Sequence, residues 1–231
     1  MKSPLVSCIV PVFNGEGYLR EALDSILAQT YRPMEIIVAD DGSTDGTAAL
    51  VADYGGQVRY LFQPNAGTAA ACNLGLTAAQ GDFVAFLAAD DLWHPEKLSR
   101  QISRFQARPD LDLCVTHVQN FWIPELQEEA ERFRHHRIAQ PLPGYVPQTL
   151  LARRALFERV GNFNAALRHA DATDWFLRAA ERGAVMELLR DVLVYRRLHQ
   201  RNLSRQMAST SRGEYLNLVK AALDRRRSEN S

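Results

Sequence analysis

The sequence predicts an α/β fold in which a mostly parallel sheet is flanked by helices. Short runs rich in β-branched and aromatic residues alternate with segments whose apolar residues recur at helical spacing, as in successive βαβ units. One run, 82–87 (DFVAFL), is almost continuously apolar, which is typical of a strand buried on both faces of a parallel sheet. We expect a single domain over 1–231, made of an N-terminal half (1–110), a C-terminal half (111–211) and a C-terminal helix (212–231).

The elements of the N-terminal half follow from these patterns in order. Its predicted strands share β-branched or aromatic residues and lie at 5–12, 34–40, 58–62 and 82–87. Its predicted helices share apolar residues at helical spacing or a high alanine content. The first is expected to have about four turns and carries Leu19, Leu23, Ile26 and Leu27, and the others lie at 48–54, 66–79 and from just past Pro95 to about 107. Ser43 or Thr44 is expected to cap the second of these helices.

The C-terminal half gives a less regular pattern. A strand is predicted over 113–122, two helices over 153–160 and 171–182, and a strand over 192–196. The segment 124–145 is charged and punctuated by proline, so we interpret it as a loop or a short helix. The tail 212–227 is predicted to be an amphipathic helix ending in three arginines, which suit a helix C-terminus. A solvated helix end is favoured there over docking to a partner or a membrane surface.

Charge and cysteine content exclude several classes of function. Lys+Arg and Asp+Glu both number 27, so the formal net charge is zero and no overall positive field favours nucleic acid. The cysteines, Cys8, Cys72 and Cys114, are odd in number and widely spaced, which argues against a disulfide framework and fits a reducing cytoplasm. No stretch approaches the roughly 20 apolar residues of a membrane helix. We expect a cytoplasmic protein, whose contact with the inner face of a membrane could only be peripheral.

Polar clusters follow four of the predicted strands, at 11–14, 40–42, 63–67 and 88–91. In open α/β sheets, ligands bind beyond the carboxyl ends of the strands, so these clusters are expected to converge on one crevice. A dehydrogenase of the Rossmann type is disfavoured, because no G-x-G-x-x-G pattern follows the first strand.

A family resemblance rests on blocks that occur in order along the chain. The first two are VSCIVPVFNGEGYLREALDSILAQTY and EIIVADDGSTDGT, and the others are QPNAGTAAACNLGL, GDFVAFLAADDLWHPEKL, DWFLRAAERG and YRRLHQRNLS. In these blocks, which cover nearly the whole chain, the sequence resembles the inverting nucleotide-sugar glycosyltransferases of family 2, which have the GT-A fold. The resemblance implies a nucleotide-sugar-binding half over 1–110 and an acceptor half over 111–211.

The resemblance also implies a reaction. A sugar would pass from a nucleotide-diphosphate donor to an acceptor hydroxyl, and a UDP-sugar is favoured as donor over dTDP- and GDP-sugars. A carbohydrate, lipid-linked or protein acceptor would each be compatible, and a homodimer is left open. Segment 124–145 is expected to lie on the acceptor side.

Nucleotide recognition is expected near the first two strands. Phe13 can stack on a base while Asp41, with help from Asp40, accepts an imide N–H. The residues expected to bind the nucleotide are Pro11, Phe13, Asn14, Asp40, Asp41, Asn65, Gly67 and Asn73. The alternative is that 40–43 is only a turn and a helix cap, which the agreement of the other blocks disfavours.

A divalent cation, Mg²⁺ or Mn²⁺, is the expected cofactor, because negative charge develops on the departing diphosphate. The family's D-x-D pattern is represented here by Asp90 and Asp91, with Ala88 in place of its first aspartate. These two carboxylates are predicted metal ligands, and the alternative is a helix cap. His199 matches a histidine that can reach the diphosphate or the metal, with a purely structural histidine as the equal alternative.

The position of the catalytic base departs from the family's pattern. The family's register, set by Asp174 and Arg178, places the usual base at Ala172. Asp171 is therefore the predicted base, with Asp174 and His169 in reserve. The alternative for each acidic residue is a helix cap or dipole partner.

Other departures at charged positions favour a second hypothesis. Cys72 stands where the family often has an arginine that suits phosphate. Since Ala88, Cys72 and Ala172 each remove a charge, the chain could instead be a degenerate nucleotide-sugar binder with weak or no transfer activity. Trp175 and Trp93 could flank the acceptor, although core packing is favoured for at least one of them.

Overall fold

Strands and helices alternate through the N-terminal half. The structure is a computed structural model that describes residues 3–206, 213–218 and 220. Its strands in this half are β1 (Val6–Val12), β2 (Met34–Asp40), β3 (Arg59–Phe62), β4 (Phe83–Phe86) and the short β5 (Leu92–Trp93). Its helices are α1 (Leu19–Leu27), α2 (Thr47–Ala52), α3 (Thr68–Ala78) and α4 (Lys97–Ala107). The predicted elements are confirmed with end shifts of one or two residues, except that α1 has nine residues where about four turns were predicted, and β5 was not predicted.

The C-terminal half contains short elements that carry little sequence periodicity. Its strands are β6 (Leu113–Trp122), β7 (Leu142–Pro143), β8 (Leu151–Arg153) and β9 (Met186–Leu198). Its helices are α5 (Gln127–Phe133), α6 (Arg154–Val160), α7 (Asp171–Glu181) and α8 (Leu203–Gln206). Segment 124–145 holds α5 and β7, which agrees with a loop or short helix. The strand predicted over 192–196 is the end of the much longer β9.

Most strands of the sheet run in one direction. The described residues form nine strands in the order β3-β2-β1-β4-β8-β6-β9-β5, with β7 paired to β6. Strands β3, β2, β1 and β4 are mutually parallel, and β6 is parallel to β9. Strand β8 is antiparallel to both β4 and β6, and β5 is antiparallel to β9. The mostly parallel sheet predicted from the sequence is confirmed, and β8 joins the two halves.

Hydrophobic residues cover both faces of this sheet. Cys8 and Val10 of β1 pack with Leu23 of α1 in one cluster, whereas Ile9 packs with Val84 and Trp175 in the other. Alternate residues of β1 therefore face opposite layers, as a strand buried on both faces requires. The three cysteines are buried and unbonded.

The described part of the C-terminal tail is helical at 213–218. The rest of the predicted helix over 212–227, including its arginine end, lies outside the described residues apart from Lys220. Within the described ranges, no helix combines the length and the apolar character needed to cross a bilayer.

Candidate active site

The carboxyl ends of several parallel strands bring the polar segments to one edge of the sheet. Strand β2 ends at Asp40, and β4 runs toward the loop that contains Asp90. Strand β9 ends at Leu198, and the following His199 contacts Asp90. The expected convergence of these segments is therefore present in the fold.

Asp41 organises the loop that follows β3. The carboxylate is only 3% exposed, and its Oδ1 accepts hydrogen bonds from Gln63 Nε2 at 2.7 Å and from the Ala66 amide at 2.9 Å. Its Oδ2 accepts from the Gly67 amide at 2.8 Å. A carboxylate has about four acceptor positions, so one position on Oδ2 is left for a further donor. Asp41 thus builds the loop and keeps limited capacity for a ligand.

Close backbone approach explains a glycine in this region. Gly42 has a φ of 87°, and a Cβ at this position would lie 2.8 Å from the Asn65 amide nitrogen. Any larger residue would push the Asn65 loop away from β2 and would also be strained at that φ. The glycine therefore keeps Asn65 and Gly67 close to Asp41.

Asp40 lies beneath the site and does not line it. It is completely buried; its Oδ1 accepts from the Ser43 amide at 2.7 Å and its Oδ2 from the Tyr60 hydroxyl at 2.7 Å. Burial, followed by the hydrogen bond and charge of Asp40, raises the pKa of Tyr60 well above its usual range. From this position Asp40 supports the turn, as the turn-and-cap alternative expected.

The residues after β1 are more accessible. Phe13 is 52% exposed, an unusual state for a large aromatic side chain next to a buried strand, and Pro11 is half-buried. Asn14 has a left-handed φ of 51°, and its side-chain oxygen accepts from the Thr44 amide at 2.8 Å. The turn after β1 is therefore fixed to the turn after β2, with the Phe13 ring presented to solvent.

Asn73 and Cys72 contact other parts of the protein. Asn73 donates to the Phe163 carbonyl at 2.9 Å and accepts from the Phe163 amide at 3.0 Å, so both ends of its side-chain amide are used within the protein. Cys72 is buried, and its pKa is raised first by burial and then by the negative charges of Asp171 and Asp41. Cys72 thus lies close to Asp41 after β2 and to Asp171 at the start of α7.

Asp90 and His199 form the polar pair of the site. Asp90 Oδ2 is 3.0 Å from His199 Nε2 and accepts from Asn202 Nδ2 at 3.1 Å. The imidazole is 8% exposed, its Nδ1 accepts from the Arg201 amide at 3.2 Å, and its ring lies 4.9 Å from that of Tyr18. Because Nδ1 accepts from the Arg201 amide, the ring proton of the neutral imidazole lies on Nε2, which donates to Asp90 Oδ2.

Asp91 differs sharply from its neighbour. It is 2% exposed, and its Oδ1 accepts from the Arg197 amide at 2.9 Å. Burial, and then the charge of Asp90, raise the pKa of Asp91 well above its ordinary value. The structure turns this side chain into the protein, so of the predicted metal pair Asp91 contacts the Arg197 amide and Asp90 lies beside His199.

Arg197 ties the Asp90 loop to the rest of the site. Its Nε donates to the Asp90 carbonyl at 3.0 Å and its Nη2 to Glu21 at 2.8 Å. Its guanidinium lies over the rings of Tyr18 and Phe121, at 4.6 and 4.9 Å from their centroids. A buried cation with these contacts fixes the loop after β4 against β9 and α1.

The predicted base, Asp171, and its two alternatives lie at or near the start of α7. Asp171 is half-buried at the first position of α7, and burial is the main cause of its raised pKa. Asp174 is buried and accepts from Arg178 Nε at 2.8 Å, and Arg178 also donates to the Val160 carbonyl at 2.7 Å. The Asp174 carboxylate is therefore part of an ion pair that holds α7 to α6, whereas the half-buried His169 lies just before Asp171.

The tryptophans are core residues. Trp175 is completely buried, stacks on Phe157 at 4.5 Å and donates to the Gly161 carbonyl at 2.9 Å. Trp93 is 3% exposed, with Lys97 Nζ 4.2 Å from its ring centroid. Neither ring is available to an acceptor, because both faces are taken up by packing within the fold.

Several site residues were missed from the sequence. Arg197 and Asn202 hold Asp90 but follow no local pattern of their own, whereas Gln63, which donates to Asp41, belongs to the predicted polar cluster 63–67. Glu214, in the C-terminal helix, accepts from three backbone amides just before Asp171. For Arg197 and Asn202 the sequence offers one indication, the many polar residues next to His199 in the block 195–204.

Fold and site together define an α/β protein with a mostly parallel sheet and a carboxylate–histidine pair at the edge of that sheet. The family model for glycosyl transferase family 2 matches residues 7–171, well over half of the chain. The chain belongs to this family, and the predicted resemblance is confirmed.

An uncharacterized glycosyltransferase of Rickettsia typhi is 35% identical over 185 residues, which cover 75% of this chain and 58% of the relative. Glycosyltransferase GlyA of Streptococcus pneumoniae is 39% identical over 123 residues, 50% of this chain and 17% of the relative.

Solved structures share the fold. S. aureus TarS 1-349 in complex with UDP-GlcNAc superposes with a TM-score of 0.70 at 22% identity, covering 89% of this chain and 61% of that one. The mannosyltransferase PcManGT from Pyrobaculum calidifontis, in complex with GDP-Man and Mn²⁺, has a TM-score of 0.64 at 24% identity, with coverages of 87% and 59%. The predicted GT-A architecture is confirmed. The chain spans less than two thirds of each of these relatives.

Proposed function

We propose that this chain is an inverting glycosyltransferase that moves a sugar from a nucleotide-diphosphate donor, favoured to be a UDP-sugar, to an acceptor hydroxyl. The observation that carries the proposal is the convergence of three features at one edge of the sheet. These are the loop built on Asp41, the Asp90–His199 pair, and Asp171 close to Cys72. TarS with UDP-GlcNAc and PcManGT with GDP-Man show that proteins of this fold bind nucleotide sugars.

The nucleotide is proposed to bind between the turns after β1 and β2. The exposed Phe13 ring offers a stacking face to the base, and the open position on Asp41 Oδ2 suits an imide N–H. Gly67, with its amide already bound to Asp41, keeps the Asn65 loop against the pocket.

The residues present are compatible with a divalent cation bound with the donor. Asp90 Oδ2 is an oxygen of a half-buried carboxylate, the kind of hard ligand that Mg²⁺ and Mn²⁺ prefer, and His199 Nε2 lies 3.0 Å from it. Among the described residues, no group of three or more His, Cys, Asp or Glu side chains is placed to hold a metal. Mg²⁺ and Mn²⁺ sites commonly complete their shell with water and substrate phosphates, so Asp90 would supply the protein ligand. His199 Nε2, which carries the ring proton while Nδ1 accepts from the Arg201 amide, would donate a hydrogen bond to Asp90 or to a diphosphate oxygen. The bound ion would stabilise negative charge on the diphosphate.

Asp171 is proposed as the catalytic base. The acceptor hydroxyl gives its proton to the Asp171 carboxylate while its oxygen bonds to the anomeric carbon, and the bond from that carbon to the diphosphate oxygen breaks. A single displacement of this kind inverts the anomeric configuration. The raised pKa of Asp171 suits this role, because a carboxylate whose pKa is above 3.8 takes up a proton more readily.

A second candidate function rests on two alanines. Ala88 and Ala172 are half-buried at the positions where carboxylates would face the donor and the acceptor. A chain that keeps the nucleotide pocket and lacks these charges could bind a nucleotide sugar without efficient transfer. Restoring aspartate at both positions would then raise turnover strongly.

Calorimetric titration with UDP, GDP and dTDP, each with and without Mn²⁺, tests the proposal. We expect one nucleotide, favoured to be UDP, to bind more tightly with Mn²⁺, and the matching donor sugar then to be hydrolysed slowly in the absence of acceptor. Metal-dependent binding without hydrolysis or transfer would favour the binder. If a folded protein binds none of the three nucleotides, both candidate functions fail.

A further inference from the structure

The described C-terminal helix, 213–218, reaches the start of α7. Glu214 Oε1 accepts from the Arg168 amide at 3.0 Å, and its Oε2 accepts from the amides of His169 and Ala170 at 2.9 and 3.1 Å. The hydroxyl of Tyr215 donates to the His169 carbonyl at 3.0 Å. One carboxylate from residue 214 therefore holds three consecutive backbone amides that precede α7.

These contacts fix the segment from which Asp171 projects. Three consecutive amides directed at one point form an anion-binding concavity, and the N-terminus of α7 adds a favourable dipole. The hydrogen bonds from the three amides hold the pKa of Glu214 below its ordinary value, against the effect of burial, so the group carries a negative charge at neutral pH. Leu218, one helical turn on from Glu214, is buried and anchors the helix.

We propose that Glu214 is a positioning residue for the transfer reaction: it holds 168–170 in place and thereby orients Asp171. This inference rests on the proposed function, in which Asp171 is the base. The described C-terminal helix then helps to orient the proposed base at the acceptor site and is not only a solvated helix end.

Several charges act on Asp171 from the elements around it. Burial raises its pKa most, the amides of Ala172 and of Asp171 itself lower it, the negative charge of Glu214 raises it, and His169 lowers it. On the α3 side Asp171 faces Cys72, a buried thiol that also feels the charge of Asp41. Removing the Glu214 charge alone should therefore lower the pKa of Asp171.

Two substitutions separate the hydrogen bonds of Glu214 from its charge. Glu214→Ala removes both, whereas Glu214→Gln keeps one acceptor oxygen and removes the charge. Glu158→Gln is the matched control, because Glu158 is an exposed residue of α6 that pairs only with Arg154 among the described residues. Hydrogen exchange of the 168–170 amides, the pKa of Asp171 from carboxyl NMR titration, and kcat with donor KM are measured for all four proteins.

We expect exchange of the 168–170 amides to become about tenfold faster in Glu214→Ala, with kcat reduced about tenfold and donor KM unchanged, as for loss of alignment at the reacting atoms. In Glu214→Gln the pKa of Asp171 should fall, and the acid limb of the kcat profile should move to lower pH with it. The inference is overturned if amide exchange and the pKa of Asp171 match those of Glu158→Gln. If the wild-type protein transfers no sugar, these two measurements still decide whether Glu214 orders 168–170 and acts on Asp171.

Discussion

The two halves of the molecule position their carboxylates in different ways. In the nucleotide half, Asp40 and Asp41 receive their hydrogen bonds from residues no more than 26 positions away, on adjacent parallel strands and loops. In the acceptor half, the segment before Asp171 is held by Glu214, 44 to 46 positions away. The proposed nucleotide pocket is thus built by the sheet itself, whereas the position of the proposed base depends on a distant part of the chain.

A buried polar network joins the two halves. Lys97 Nζ donates to Gln101 Oε1 at 2.9 Å and lies 3.4 Å from the Leu150 carbonyl. Gln101 in turn donates to the carbonyls of Cys114 and Thr149 at 2.9 and 2.8 Å. Helix α4 is therefore linked to β6 and to the turn before β8, so a disturbance of this network should affect the stability of both halves.

The largest expected effect separates catalysis from binding within α7. Asp171→Asn should lower kcat by about 10²–10⁴-fold, because it removes the proton acceptor, and should leave nucleotide affinity unchanged. In the wild-type protein kcat should fall as the pH drops through a pKa above the ordinary 3.8, since the base works in its ionised form. Steady-state kinetics and calorimetry measure both quantities.

Asp174→Asn is the control for that comparison. It breaks a buried ion pair, so it should lower the free energy of unfolding by about 1–3 kcal/mol and change kcat less than Asp171→Asn does. A larger loss of kcat in Asp174→Asn, at a temperature where it is folded, would mean that the base has been assigned to the wrong carboxylate.

The next effect distinguishes two adjacent aspartates. Asp90→Asn should abolish the strengthening of nucleotide binding by Mn²⁺ and reduce turnover by about 10²–10³-fold, as for loss of one stabilising charge at the leaving group. Asp91→Asn should retain the response to Mn²⁺, because an amide oxygen can still accept from the Arg197 amide. Titration of Mn²⁺ into each nucleotide-bound variant gives the result, and equal losses in the two variants would show that Asp91 also reaches the metal.

A smaller effect is expected for the exposed ring of the nucleotide half. Phe13→Ala should weaken nucleotide binding by about 1–3 kcal/mol, the usual loss when one base loses its stacking partner. Met186→Ala is the control, since Met186 is 42% exposed but lies at the opposite end of the sheet, where β9 begins. Unchanged affinity in Phe13→Ala would place the base elsewhere.

The last prediction concerns stability alone, through the network between the halves. Burial lowers the pKa of Lys97 from 10.5 to about 7, so between these values the unfolded chain binds more protons than the folded one. The free energy of unfolding should therefore rise with pH in this window, by at most about 1.4 kcal/mol per pH unit from this group. Lys97→Met should flatten that rise in urea titrations from pH 7 to 10, whereas Lys220→Met, at an exposed position, should not. A slope that persists in Lys97→Met would assign the pH dependence to another group.

Most of the longer elements could be predicted from local pattern. Strands such as β2 and helices such as α1 have enough residues to show their periodicity. The bounds of β2 were predicted without error, whereas α1, with nine residues, is shorter than the predicted four turns. Strands β5, β7 and β8 have only two or three residues, so their pairing comes from neighbours in the sheet and leaves no periodic signal. The family was also accessible from sequence, because its blocks lie in order along the chain.

The candidate site was only partly predictable. The exposed position of Phe13 agrees with a stacking role, but the sequence cannot separate Asp90 from Asp91, since neighbouring residues of the same type differ only in the direction of their side chains. Trp175 is apolar on a helix next to a predicted base, and only packing shows that it is buried. Arg197 and Glu214 act on residues about 100 and 45 positions away, so no local pattern could assign their partners.

The sequence by itself determined the alternation of strands and helices, the position of polar segments after the strands, and the family, because these depend on residues close together in the chain. Tertiary structure alone decided which carboxylates face the site. Asp90 meets His199 across 109 positions, and Glu214 meets the amides before Asp171, because β9 and the C-terminal helix pack against elements formed much earlier in the chain. Burial and hydrogen bonding between such distant residues set the charge and direction of each side chain.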